Sequence, residues 1–216
     1  MKKSLAASLL FGVLLLPMLQ GCLPLIAAGA SGGALAAIDR RSLGTQTDDE
    51  TIEWKASARV SEKYGDNSHI NFTSYNRKVL VSGEVSSEEI KVQVERIVTE
   101  VPQVQGVYNE LAVGPVSSFS TRSNDSYITT RVKGGFVDAG KFNPVHVKVV
   151  TEAGVVYLLG LVSQREADAA IQVARTTSGV KKVVTLMEIL PPAKVRELDA
   201  QAREAGEPAN PSAAGG

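Results

Sequence analysis

Two stretches of the chain, His69–Val85 (HINFTSYNRKVLVSGEV) and Val145–Val162 (VHVKVVTEAGVVYLLGLV), are one pattern written twice. Aligned on Gly83 and Gly160 they stand 77 residues apart, so His69 matches His146, Val85 matches Val162 and Glu89 matches Glu166. Upstream the offset is 76, which pairs Asp49 with Asp125 and Ile52 with Ile128. Downstream it is 76 again, pairing Val104 with Val180, Val107 with Val183 and Val113 with Ile189. Each change of offset is a residue gained or lost in a loop, where chains tolerate it. Self-similarity of this kind marks a duplicated structural unit.

Each copy predicts the same elements in the same order. A helix opens near Asp49 or Asp125, read as acids of its first turn. A strand follows: Ile70, Phe72 and Ser74 alternate with polar residues in one copy, and Val145, Val147 and Val149 alternate in the other. The turns NRK and EAG lead into a second strand, Val79–Val85 or Val155–Val162. SSEE and SQRE then read as helix starts, with Ser86 or Ser163 as N-cap and Glu89 or Glu166 as the capping-box partner. A last strand, GVYNELAV or VVTLMEIL, closes the unit. The expected fold class is α+β: two small domains, each helix-strand-strand-helix-strand, with helices on one face of a three-stranded sheet. Gly83 and Gly160 interrupt strands, where glycine weakens packing, and are assigned a structural role: a bend, or close approach by the helix that follows.

Working outward, the copies occupy residues 48–114 and 124–191, joined by a linker at 115–123. Residues 192–216 read as a disordered tail, with a short exposed helix at most over 193–205. At the other end, Lys2 and Lys3 precede an apolar run, Leu5–Leu19, too short to span a bilayer comfortably. It ends at Leu19-Gln20-Gly21-Cys22, which resembles a bacterial lipobox. That resemblance implies a signal peptide over residues 1–21 and acylation of Cys22, the only cysteine in the chain. Leu23 in place of aspartate implies delivery to the outer membrane. Each buried methylene contributes about 0.8 kcal/mol, so a lipoprotein's several acyl chains make a durable anchor. Residues 22–47, glycine-rich and apolar at first, read as a tether, with a flexible reach of roughly 25–30 Å.

Composition narrows the function. A formal charge of +0 argues against nucleic acid as a partner. Only His69 and His146 offer imidazoles, and no metal-ligand spacing, serine-nucleophile motif or phosphate loop is present. No catalytic residue, cofactor or metal is therefore expected. One histidine repeated at one fold position points to structure.

The repeated order, with Val81-Ser82-Gly83-Glu84-Val85 and Leu158-Leu159-Gly160-Leu161-Val162 as its strand motif, resembles the BON domain, a periplasmic module. Together with the lipobox, the stretches RSLGTQTDDETIE, VYNEL, SNDSYITTRV and GLVSQREA resemble the dual-BON outer-membrane lipoproteins over about Leu15 to Leu190. That resemblance implies binding of anionic phospholipid (phosphatidylglycerol, cardiolipin), a role in outer-membrane integrity, and recruitment to the division site beside envelope or division proteins.

Charge divides the two units. Residues 48–113 carry 12 Asp/Glu and 7 Lys/Arg, a net −5, whereas residues 124–190 carry 6 and 8, a net +2. An anionic surface favours the second, at about 1 kcal/mol per basic residue close to it. On the first helix of that unit, Ile128, Val132 and Phe136 form a core stripe at i, i+4, i+8. Tyr127, Arg131 and Gly134 form another, which Val137 and Lys141 continue if the helix persists. Tyrosine suits the headgroup level, and Arg131, Lys133 and Lys141 suit phosphates. By resemblance, the lipid-contacting set is Tyr127, Thr130, Arg131, Lys133, Gly134, Val137 and Lys141. The first-unit positions Thr51, Lys55, Ala58 and Ser61 offer no aromatic. Gly134-Gly135 disfavours helix by about 1 kcal/mol per glycine relative to alanine, which predicts an end or a bend there. The rival reading is an interaction adaptor that works through the acidic first unit.

Overall fold

A computed structural model describes residues 39–65 and 68–206. The signal peptide 1–21, Cys22, residues 22–38 of the tether and residues 207–216 of the tail lie outside the described residues.

The chain folds as two α+β domains. In the first, α1 (Leu43–Tyr64) leads to the hairpin β1 (His69–Tyr75) and β2 (Lys78–Val85), then to α2 (Glu88–Thr99), β3 (Gly106–Asn109) and β4 (Ala112–Val113). In the second, α3 (Phe119–Ala139) and a 3-10 turn (Pro144–His146) precede β5 (Val147–Glu152), β6 (Val155–Val162), α4 (Gln164–Thr176), β7 (Lys182–Thr185) and β8 (Glu188–Ile189). A last helix, α5, spans Pro192–Gly206.

The central strand of each sheet is β2 or β6, antiparallel to the strand before it and parallel to the strands after its helix. The closing strand is broken in each copy. Leu111 drops into the core between β3 and β4, so four strands stand where three are expected. The second domain's first strand also begins later than its alternation suggests, because Pro144 starts a tight turn instead.

Two-sided burial explains the nearly unbroken apolar run of β6. Val156, Leu158 and Val162 pack against α3 and α4, with Ile128, Val132, Phe136 and Ala170. The alternate residues Tyr157, Leu159 and Leu161 meet Tyr75 and Leu80 of the first domain. The sheets therefore pack face to face with the helices outside. A strand buried on both faces loses the polar alternation of a half-exposed one.

The helix starts lie earlier than Asp49 and Asp125. Ser42 and Ser118 are the N-caps, each accepting from the backbone N–H three residues on. Residues 118–123 of the expected linker therefore belong largely to α3, and residues 42–47 of the expected tether to α1 and its cap. Asp49 and Asp125 sit on the buried face and reach the hairpin turn that follows. Asp49 accepts from the N–H groups of Asn76 (2.8 Å) and Arg77 (2.7 Å), and Asp125 from those of Ala153 and Gly154, both at 2.8 Å. All four turn residues have positive φ, which leaves their N–H groups pointing inward, away from the ladder. The capping box is present at Ser163–Glu166, whereas in the first domain the cap is Ser87 rather than Ser86.

Gly83 and Gly160 answer to a close approach, but by the backbone before them: His69 of β1, and His146 at the end of the 3-10 turn that leads into β5. A Cβ at Gly83 would lie 1.9 Å from the His69 carbonyl oxygen, and one at Gly160 would lie 2.4 Å from that of His146. The helix that follows is not the cause.

Neither flank is loose where it is described. Arg40, buried before α1, places Nη1 2.8 Å from the Leu161 carbonyl and forms a two-pronged pair with Glu166 at 2.9 Å. Its Nε lies 2.7 Å from Asp199 of α5. Val195 is buried, and Leu198 packs against the interdomain cluster. The expected disorder from residue 192 is thus replaced, over 192–206, by a docked helix whose i, i+3 apolar pair has found a surface.

Candidate functional site

The surface chosen from the sequence lies on α3. Ile128, Val132 and Phe136 are buried on its inner face, where Phe136 meets Phe142 edge-on with ring centres 5.1 Å apart. The helix passes through Gly134-Gly135 without ending. Gly135 lets α4 approach, since a Cβ there would lie 2.8 Å from a Val173 methyl, and the packing offsets the poor propensity. Gly134 meets nothing, so no contact within the domain requires it.

On the outer face Tyr127 is 59% exposed and Val137 66% exposed. Thr130, Arg131, Lys133 and Gly134 are also exposed. At about 100° of rotation per residue, Tyr127, Thr130, Arg131, Gly134 and Val137 form one band, while Lys133 lies about 120° from Tyr127 on its flank. The Thr130 hydroxyl donates to the Ser126 carbonyl at 3.0 Å, so the helix itself uses that proton. Lys141 does not continue the band: α3 stops at Ala139 and Gly140 turns left-handed, which leaves Lys141 exposed just past the end.

Between α3 and α4 opens a cleft of about 520 Å³, lined by Arg131, Gly134, Gly135, Asp138, Thr176 and Thr177 among others. Arg131 and the side-chain-free helix surface suit a phosphate group, whereas the Thr176 and Thr177 hydroxyls already donate to the Gln172 and Val173 carbonyls. Asp138 opposes Arg131 there and limits the attraction.

Two exposed aromatics complete the picture. Phe119, at the first turn of α3, is 79% exposed. Five turns separate it from Val137, which puts both on the same edge of the band, about 27 Å apart along the axis. Its signal in the sequence is that 18-residue spacing, hidden when residues 115–123 are read as linker. Trp54 on α1 is 70% exposed and stands at the position that matches Thr130. The first domain therefore does carry an exposed aromatic on the equivalent helix, three residues beyond Thr51.

Away from α3, one group of described side chains has metal-ligand chemistry: His69, Glu84 and Glu152, at the domain interface. No helix among the described residues is long and apolar enough to cross a membrane.

The BON-domain family model matches residues 48–115 and 124–191. With two copies in one chain, the protein belongs to the BON-domain family. It is similar to outer membrane lipoprotein DolP of Haemophilus influenzae, with 40% identity over 174 residues, covering 80% of this chain and 90% of that protein. A 21 kDa hemolysin of Actinobacillus pleuropneumoniae is 34% identical over 152 residues, which cover 69% of this chain and 78% of the relative. Osmotically-inducible protein Y of Escherichia coli is 29% identical over 161 residues, covering 71% and 78%. The chain is a lipid-anchored outer-membrane lipoprotein of this family.

Proposed function

We propose that the protein is held to the outer membrane through acylated Cys22 and reads anionic phospholipid, phosphatidylglycerol or cardiolipin, through α3 of its second domain. Binding there supports outer-membrane integrity and recruits the protein to the division site. It acts without catalysis. The observation that carries this reading is the exposed band Phe119, Tyr127, Arg131 and Val137 on the domain with the positive charge balance. Aromatic rings and aliphatic groups enter the headgroup boundary while Arg131 and Lys133 meet phosphates. The test is co-sedimentation of protein lacking residues 1–22 with vesicles. Binding is expected to vesicles containing phosphatidylglycerol or cardiolipin, to weaken at high salt, and to be missing with neutral vesicles. Equal binding to neutral vesicles rejects the reading.

Trp54 favours a second reading, compatible with the first. An exposed tryptophan on an acidic domain suits a basic protein surface, which makes that domain an adaptor for an envelope protein. A photo-crosslinking residue at position 54 in cells then captures a discrete envelope protein; capture of lipid alone rejects this reading.

A further inference from the structure

His69 and Glu84 are directly opposite one another across β1 and β2, on the face turned toward the second domain. Glu152 comes to them from the end of β5. His69 Nδ1 lies 3.1 Å from Glu84 Oε2 and 3.6 Å from Glu152 Oε1. One ring nitrogen donates one proton, so it serves one of these carboxylates; Glu84 Oε2 also accepts from the Ser117 N–H at 3.2 Å. Both carboxylates are more than nine-tenths buried, and among the described residues no lysine or arginine reaches either. Two ionised carboxylates beside one imidazole leave negative charge in excess, which is costly away from water, and burial pushes the Glu152 carboxyl up.

Two further features belong to the same place. Ser82 is 1% exposed and its hydroxyl has no partner. It lies two residues before Glu84 on the same face of β2 and directly opposite Asn71, whose amide donates to Glu152 at 3.0 Å. The hydroxyl thus faces the cluster as an unused oxygen. An open cleft of about 380 Å³, lined by His69, Asn71, Asp125, Thr129 and Glu152 among others, leads to the cluster from solvent.

We propose that His69, Glu84 and Glu152 form a divalent-cation site that bridges the two domains. One imidazole and two carboxylates suit a borderline ion such as Zn²⁺, with water in the remaining position. Bonds of about 2.0–2.1 Å at tetrahedral angles place ligand atoms about 3.3 Å apart, between the two separations observed here. The cation replaces the Nδ1 proton and removes the excess charge. Nε2 then carries the ring proton, while the Asn71 amide keeps its bond to Glu152. Because the first domain supplies His69 and Glu84 and the second supplies Glu152, occupancy stabilises their packing.

The test is calorimetric titration of the full chain, in detergent and freed of metal, with ZnCl₂. One equivalent is expected to bind, with affinity lowered more than about tenfold by H69Q and by E152Q. H146Q, which removes the other imidazole, and C22S are expected to bind as the wild type does. The zinc X-ray absorption spectrum of the wild type does not depend on any variant folding; it is expected to show one imidazole, oxygen ligands and no sulfur. Absence of binding, a sulfur ligand, or wild-type affinity in E152Q overturns the proposal.

Discussion

The guanidinium of Arg131 lies 5.8 Å from the centre of the Tyr127 ring, one turn away on α3, and both side chains face solvent. A cation over a ring face is worth about 0.5–1 kcal/mol at an exposed site. The contact holds charge and aromatic surface together before any membrane arrives. Neither residue is covered by the first domain, which packs against the sheet on the far side of the second. The surface proposed to read lipid is therefore exposed in the folded molecule.

Gly134 separates lipid contact from stability. A Cβ there meets nothing in the domain, and alanine favours helix over glycine by about 1 kcal/mol. G134A is expected to raise the urea midpoint while weakening co-sedimentation with phosphatidylglycerol vesicles, because a methyl group enters the cleft beside Arg131. Stability and binding that rise together would show that Gly134 is no part of the lipid surface.

At Gly83 the effect is purely structural. The added Cβ would collide with the His69 carbonyl, at a backbone φ of +114° that side chains disfavour. G83A is expected to destabilise by about 3–4 kcal/mol in urea denaturation. A loss under about 1 kcal/mol would mean that the β1–β2 pair shifts easily.

Asp125 holds the second hairpin turn through two backbone N–H groups. Hydrogen bonds to charged groups contribute about 1.5–3 kcal/mol each, and their loss leaves buried donors unmet. D125A is expected to cost about 3 kcal/mol and D125N less, because an amide oxygen still accepts one of the bonds. Equal losses, read from the same urea titrations, would show that the charge and the acceptor do not matter separately.

These aspartates also show what was legible in the sequence. Their alignment is visible, since Asp49 and Asp125 fall at one offset, but their role is not. A helix that starts six residues earlier, with polar residues and no apolar period, leaves the first acid looking like its beginning. The core stripes were readable because Ile128, Val132 and Phe136 keep helical spacing, and the strands because their hairpins repeat. The sheet-to-sheet contact left a trace in VVYLLGLV, whose unbroken apolar run requires two covers without naming the second. Arg40 with Asp199 left none: the two are 159 residues apart, and only the fold brings them together. Phe119 is hidden when residues 115–123 are read as linker, and Trp54, a lone surface aromatic, carries no period of its own.

Arg40 makes stability depend on pH. Burial opposes ionisation of Glu166, but hydrogen bonds from His146, Arg40 and Ser163 outweigh it and hold the carboxyl far below its ordinary value of 4.5. A carboxylate depressed in the folded state stabilises above its unfolded pKa, and this stabilisation is lost as pH falls below about 4.5. R40A is expected to destabilise by about 3 kcal/mol at pH 7, to lose less than the wild type as pH falls from about 4.5 to about 2, and to speed hydrogen exchange in 192–206. Unchanged exchange in α5 would mean that Leu198 and Val195 hold the helix unaided.

The most direct test is the double variant Y127E/R131E, in protein lacking residues 1–22, sedimented with vesicles containing phosphatidylglycerol. The account predicts that wild-type protein pellets with them, while the variant stays in the supernatant with its melting temperature unchanged, since both side chains are exposed. A variant that pellets as well as the wild type would contradict it.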